Sequence, residues 1–154
     1  MTVRRLTAAD VAGLGWLDDG TREGLAVAVA AGPDRALVLA GLDAADAPVG
    51  VLAVDLPPWR ERAVPWMWLV EVRSGDRGRG VGSELLAEAH RLLTGGGHAA
   101  VELSVEDRNS RAAALYRRLG YAAVGTGADA GAAGPEPWTW MRLELAADQI
   151  RRNR

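Results

Sequence analysis

Six consecutive residues, Arg77-Gly78-Arg79-Gly80-Val81-Gly82, combine two guanidinium groups with three glycines. An apolar run of β character precedes them over residues 65–73, and an amphipathic helical pattern begins inside them. The start of a helix carries partial positive charge and backbone N–H groups that lack intrahelical acceptors. Glycine leaves no side chain to hold a ligand away from those donors. Strand, glycine-rich turn and helix in this order suit a phosphate or pyrophosphate group.

A second cluster runs Asn109-Ser110-Arg111-Ala112-Ala113-Ala114-Leu115-Tyr116-Arg117-Arg118-Leu119-Gly120-Tyr121. Asn109 is suited to cap a helix. Ala112, Leu115, Tyr116 and Leu119 share one face of that helix, and Gly120 ends it. An aromatic residue on an apolar helix face is most often core packing. A phenol can also hand over a proton while neutral, because its ordinary pKa is about 10.

Three glycine-rich signatures compete for the first cluster. A nucleotide-triphosphatase loop needs Lys followed by Ser or Thr after its last glycine, and Gly82 is followed by Ser83-Glu84. The G-x-G-x-x-G dinucleotide spacing is not met either. Arg-x-x-Gly-x-Gly is met by Arg77, Gly80 and Gly82. The second cluster fits N-x-x-A-x-x-L-Y-x-x-x-G-[FY], and Val70-Glu71-Val72-Arg73-Ser74 leads into the first. With these motifs the chain resembles the GCN5-related N-acetyltransferases (GNAT). Ser74 stands where that family usually has proline, a departure that concerns a turn. The motifs span residues 66–126, and elsewhere the likeness is one of length and element order.

The resemblance implies an α/β fold: a GNAT-like mixed sheet of about seven strands with a splayed central pair, flanked by about four helices. It implies acetyl-CoA as cosubstrate and no metal. The pantetheine arm would pair with Val70, Glu71 and Val72. The pyrophosphate would meet Arg77, Gly78, Arg79, Gly80, Val81, Gly82 and Ser83, with Asn109 and Tyr116 as further coenzyme contacts. A primary amine on a small molecule, a peptide N-terminus or a lysine would attack the thioester directly. A backbone N–H near Val72 would then hold the oxyanion, and Tyr116 would protonate the departing sulfur. Glu71 is the candidate base, although period-two alternation puts its side chain opposite Val70 and Val72.

Other groups have both functional and structural readings. Glu102, Ser104 and Glu106 share one face of the next strand, where Ser104 could hold a relay water. His90 is read on the exposed side of its helix and His98 in a turn. Trp66 and Trp68 are read on the strand face of Val70 and Val72, and Trp138 and Trp140 on a face with Arg142 and Glu144. These four tryptophans are candidate acceptor walls, or core filling in a chain without phenylalanine. Rival functions are an acyl-CoA-binding regulatory domain without turnover, a transferase of another acyl group, and a structural interaction module.

The whole chain bounds these readings. Its 154 residues suit one domain with a single core, 1–154, with a frayed basic tail over 147–154. A formal net charge of −2 argues against nucleic acid as partner. The absence of cysteine excludes a disulfide framework, a thiol nucleophile and thiolate metal ligands. No apolar run approaches the roughly 20 residues of a membrane span, and the N-terminus lacks a signal-peptide pattern. The expectation is a cytoplasmic protein without a membrane partner, with a homodimer admissible.

The elements that must position these groups are read from periodicity and breakers. Strands are expected over 3–7, 36–41, 49–56, 65–73, 99–105, 121–125 and 138–145. Helices are expected from a cap at Asp10 toward Leu17, from Thr21 to Ala31, after Val81, and after Asn109. Residues 126–137 lack periodicity and are expected to form a mobile loop, with Asp129 and Glu136 in it.

Overall fold

The computed structural model describes residues 1–145. Among them, seven strands of one mixed sheet and four α-helices follow the order β1 (Thr2–Arg5), α1 (Ala8–Val11), α2 (Asp19–Ala31), β2 (Ala36–Leu42), β3 (Pro48–Asp55), β4 (Trp66–Val72), α3 (Val81–Gly95), β5 (Ala100–Glu106), α4 (Ser110–Arg118), β6 (Ala122–Gly131) and β7 (Gly134–Glu144). This is the element order read from the sequence. The chain divides into two compact units, Met1–Leu92 and the residues from Leu93 onward. The tail expected to fray over 147–154 lies outside the described residues.

In the first unit, β1 to β4 pair in sequence order as an antiparallel meander. Helix α1 begins in a capping box in which Thr7 and Asp10 satisfy each other's backbone N–H groups. Asp10 is therefore the third helical residue, not the cap. Its carboxylate also accepts two bonds from Arg4, at 2.7 and 3.0 Å, and that pairing holds its pKa well below the usual carboxylate range. Asp18 caps α2 by accepting from the Thr21 N–H at 2.8 Å. One sheet face packs under α1 and α2, where Leu14, Leu25 and Ala28 meet Val38, Ala40, Val51 and Ala53.

The other face of the meander receives α3. The apolar stripe read from the sequence is buried at Val81, Leu85, Leu86, Ala89 and Leu93. His90 is buried as well, at 3% exposure, which overturns its reading as an exposed residue. It lies four residues after Leu86 and three before Leu93, so helical periodicity carries it inward regardless of its polarity. Gly41 and Gly50 are cross-strand partners beneath this helix. A Cβ on Gly50 would lie 2.6 Å from Val81 Cγ1 and 3.0 Å from Leu85 Cδ1. The bare backbone at these positions lets the first turn of α3 settle close to the sheet. Gly50→Val should cost about 1–3 kcal/mol through overpacking and lower Tm by roughly 2–4 °C per kcal/mol. A melting curve superimposable on the parent's would show that α3 does not depend on this close seat.

In the second unit β7 lies between β5 and β6 and is antiparallel to both. Asn109 caps α4, its Oδ1 accepting from the Ala112 N–H at 3.2 Å. The helix closes at Gly120, where φ is +102° and the Tyr121 N–H reaches back to the Tyr116 carbonyl at 3.0 Å. The mobile loop expected over 126–137 is not found. Strands β6 and β7 continue through it and turn at residues 132–133, so Asp129 and Glu136 are cross-strand partners. Alanine and glycine give no alternation to read, while their backbones hydrogen-bond as well as any others. A bulge at Val124 shifts the ladder between Ala123 and Gly125.

Candidate functional site

The site of the first unit is built where β4 hands over to α3. Residues Ser74–Asp76 form one 3₁₀ turn, and Arg77 leaves it extended. Gly78 and Gly80 have φ of +77° and +82°. The Gly80 carbonyl accepts the first helical bond, from the Glu84 N–H at 3.0 Å. The N–H groups of Val81, Gly82 and Ser83 consequently have no acceptor within the helix. Left-handed glycines before such a helix start turn successive N–H groups toward one concavity, an anion-binding nest. Beyond its two chain neighbours, nothing lies within 4 Å of where a Cβ on Gly80 would stand. An anion such as a phosphate can therefore come up to the main chain.

The two arginines are held apart by different partners. Arg77 Nε donates to the Val72 carbonyl at 3.2 Å, which pins the guanidinium to the end of β4. Arg79 is exposed, with Nη1 3.9 Å from Asp76 Oδ1. Asp76, which sequence reasoning passed over, is only 8% exposed and accepts from Arg73 Nε at 2.6 Å. One buried carboxylate thus ties Arg73 before the turn to Arg79 within the nest. The signal for it was an acid three residues after one arginine and three before another.

Hydrogen-bond phase decides which groups of β4 bond β3. The Arg73 N–H donates to the Val49 carbonyl at 2.8 Å. In an antiparallel ladder bonded and non-bonded pairs alternate. With Glu71 opposite Val51 and Val72 opposite Gly50, Glu71 bonds β3 while the N–H and C=O of Val70 and Val72 point away from it. Of these groups, the Val72 carbonyl is the one that takes up Arg77 Nε.

A bulge changes what their side chains accompany. Leu69 pairs with Ala53 and Met67 with Val54, so Trp68 is the extra residue. Trp68 and Leu69 both pack on the α1/α2 side, against the cluster containing Val51 and Ala53. Trp66 pairs with Asp55, also on that side. Val72 pairs with Gly50, which faces α3. The expectation that Trp66 and Trp68 share a face with Val70 and Val72 is therefore corrected: strict alternation does not survive a bulge. Trp68 rests on α2, where a Cβ on Gly24 would touch its ring at 3.3 Å, and the Trp66 ring is covered by the Arg62 guanidinium at 4.8 Å. Both are taken up by the protein's own packing. Glu71, opposite Val51, is half-buried on the α1/α2 side.

The second unit holds the other candidates. Tyr116 lies on the buried face of α4, its ring centroid 5.5 Å from that of Tyr121. Burial pushes the pKa of both phenols up, because a phenolate would be stripped of water there. Tyr116 consequently stays protonated well past neutral pH. Glu102, Ser104 and Glu106 lie opposite Arg142, Trp140 and Trp138. Glu102 is buried and accepts from Arg142 Nη1 at 3.1 Å. Ser104 and Glu106 are exposed. Among the described residues, no group of three or more His, Cys, Asp or Glu is arranged to hold a metal ion, and no helix is long and apolar enough to cross a membrane.

The fold these elements make is that of the GNAT acetyltransferases. The ribosomal-protein-S18-alanine N-acetyltransferase from Escherichia coli shares it with a TM-score of 0.79, covering 94% of this chain and 93% of that one at 18% identity. A spermidine N-acetyltransferase SpeG chimera of Vibrio cholerae and hSSAT sequence gives 0.78, with 97% and 99% covered at 15% identity. The PaiA N-acetyltransferase from Thermoplasma acidophilum, in complex with coenzyme A, gives 0.68, with 93% and 98% covered at 14% identity. Identities this low carry the fold alone. Curated protein sequences give no match. Residues 10–121 match the Acetyltransferase (GNAT) family, and the chain belongs to it.

Proposed function

We propose that this protein transfers an acetyl group from acetyl-CoA to a primary amine by direct attack on the thioester. The observation that carries the reading is the nest itself, in which left-handed Gly78 and Gly80 precede the N–H groups of Val81, Gly82 and Ser83, which have no acceptor within the helix. Family membership supports it, since acetyl transfer is the family's namesake chemistry. The nest would hold the pyrophosphate, and Arg79 would add charge at its rim. A backbone N–H near Val72 would hold the oxyanion that forms when the amine attacks the carbonyl carbon. Tyr116, kept protonated by burial, would give its proton to the sulfur as the carbon–sulfur bond breaks. No covalent enzyme intermediate is required, in keeping with a chain that has no cysteine.

The incoming ammonium must first lose a proton, and Glu71 is assigned that task. Glu71→Gln should lower kcat/KM near neutral pH by about ten-fold or more, a typical general-base contribution being 10²–10⁴. The defect should fade toward about pH 10, where an alkylamine arrives already neutral. A uniform loss across pH, or none, removes Glu71 from proton transfer.

The reading as a whole is tested by following free thiol while acetyl-CoA is mixed with a panel of amines and basic peptides. Amine-dependent thiol release supports it. Coenzyme binding by calorimetry without release from any amine would favour an acyl-CoA sensor, and faster release from succinyl- or propionyl-CoA would reassign the acyl group.

A further inference from the structure

The second unit presents a sheet face of unusual composition. Cross-strand pairing puts Glu102, Ser104 and Glu106 of β5, Trp138, Trp140 and Arg142 of β7, and Gly125, Gly127 and Asp129 of β6 on it. The glycines are seats for the tryptophans. A Cβ on Gly127 would fall 2.3 Å from the Trp138 ring, and one on Gly125 would fall 3.0 Å from the Trp140 ring. Each indole therefore lies down across β6 instead of standing away from the sheet. Trp138 is pinned further by its Nε1–H, which donates to Asp129 Oδ1 at 3.2 Å. Trp140 remains 38% exposed.

Charge surrounds these rings on one side of neutrality. Arg142 pairs with Glu144 at 2.7 Å and Glu102 at 3.1 Å. Arg108 pairs with Glu106 at 2.6 Å and lies 3.8 Å from Glu136. Among the described residues, the ion pairs on this face join Glu102, Glu106, Glu136 and Glu144 to Arg108 and Arg142, and with Asp129 the carboxylates outnumber these arginines five to two. Trp140 has Ser104 directly opposite and Glu102 and Glu106 on its two diagonals, within reach of one bound group.

We infer that this face holds a protonated nitrogen, and that the acceptor is a linear amine carrying a second positive charge. The inference rests on the acetyl-transfer reading for its second half only. Indole faces and nearby carboxylates both favour a cation. They favour it as a cation, so the nitrogen they hold keeps its proton and has no lone pair to attack with. The nitrogen retained here is consequently not the one acetylated, and a second amine on the same molecule reacts. The occupant is an aliphatic diamine or polyamine, not a peptide. The backbone of β7 is paired on both sides, by β5 and β6, and leaves no main-chain partners for a peptide strand. The two indoles, about 7 Å apart along the strand, instead match a flexible alkyl chain with charged ends.

The test uses the full chain without coenzyme, titrated with diaminooctane, octylamine and octanediol while the indole N–H resonances of Trp138 and Trp140 are followed. Both amines should move them and octanediol should not. With acetyl-CoA present, diaminooctane should show a KM about ten-fold or more below that of octylamine. Trp140→Leu should raise the diamine KM by about three- to five-fold, the worth of an exposed cation–π contact, with kcat unchanged and Trp140→Phe restoring part of the loss. Glu106→Gln should act in the same direction without touching the rings. Equal indole shifts from octanediol, an unchanged diamine KM in both variants, or a lysine-rich peptide that moves the indoles where diamines do not, would each overturn the inference. Indole shifts with amines but no thiol release from any of them would leave the cation site standing and sink acetyl transfer.

Discussion

Gly80→Asp should abolish useful coenzyme binding while Gly80→Asn largely spares it. Gly80 has φ of +82°, and the space beside its Cα is empty. Any side chain there pays about 1 kcal/mol for the left-handed conformation, and asparagine and aspartate tolerate it better than other residues. The two replacements are nearly the same size and shape, so their difference isolates charge. A carboxylate at the lip of the nest competes for the N–H groups of Val81, Gly82 and Ser83 and repels the incoming pyrophosphate. At an effective dielectric near 20 and a separation of about 5 Å, that repulsion is of order 2–4 kcal/mol, or roughly thirty- to thousand-fold in Kd. Calorimetric titration with acetyl-CoA reads it directly. Equal affinities for the two variants would mean that no phosphate sits in the nest, and the assignment of Arg77–Ser83 would fail with it.

The nest was legible in the sequence because it is local. Glycines at 78 and 80, an amphipathic stripe from Val81 to Leu93 and an apolar run before Arg77 all lie within one short stretch, and each has a physical cause readable from spacing. Asp76 was less visible because an acid among arginines in a turn has a bland explanation, and only its burial shows it to be an anchor. The close seat of α3 on Gly41 and Gly50 could not be read at all: nothing local says that two glycines on strands well ahead of a helix will lie beneath it.

The tryptophans show how register defeats pattern. Trp66, Trp68, Val70 and Val72 alternate perfectly in sequence, yet the bulge at Trp68 sends the tryptophans to the α1/α2 side and the valines toward α3. A bulge costs one residue and leaves no compositional mark. Trp138 and Trp140 alternate just as cleanly, and there no bulge intervenes in β7, so their expected shared face with Arg142 and Glu144 is the observed one. The hairpin beyond them was missed for the reason that makes it work. Gly125 and Gly127 carry no hydrophobic signal, and their lack of side chains is what lets the indoles lie flat.

Tyr116→Phe should lower kcat by about 10²–10⁴, the usual span for a lost general acid, with the Kd for acetyl-CoA changed less than about two-fold. The substitution keeps the ring that packs 5.5 Å from Tyr121, so melting temperature serves as a control and should hardly move. Burial disfavours the phenolate and therefore raises the pKa of Tyr116. The proton is retained as pH rises, and no alkaline loss of kcat belonging to this residue should occur below about pH 10. The leaving group offers a sharper check. A thioester of a more acidic thiol expels its thiolate without needing a proton, so the gap between Tyr116 and Phe should shrink with such a donor. A gap independent of leaving-group acidity would make Tyr116 a packing residue of α4, and the departing sulfur would have to draw its proton from water.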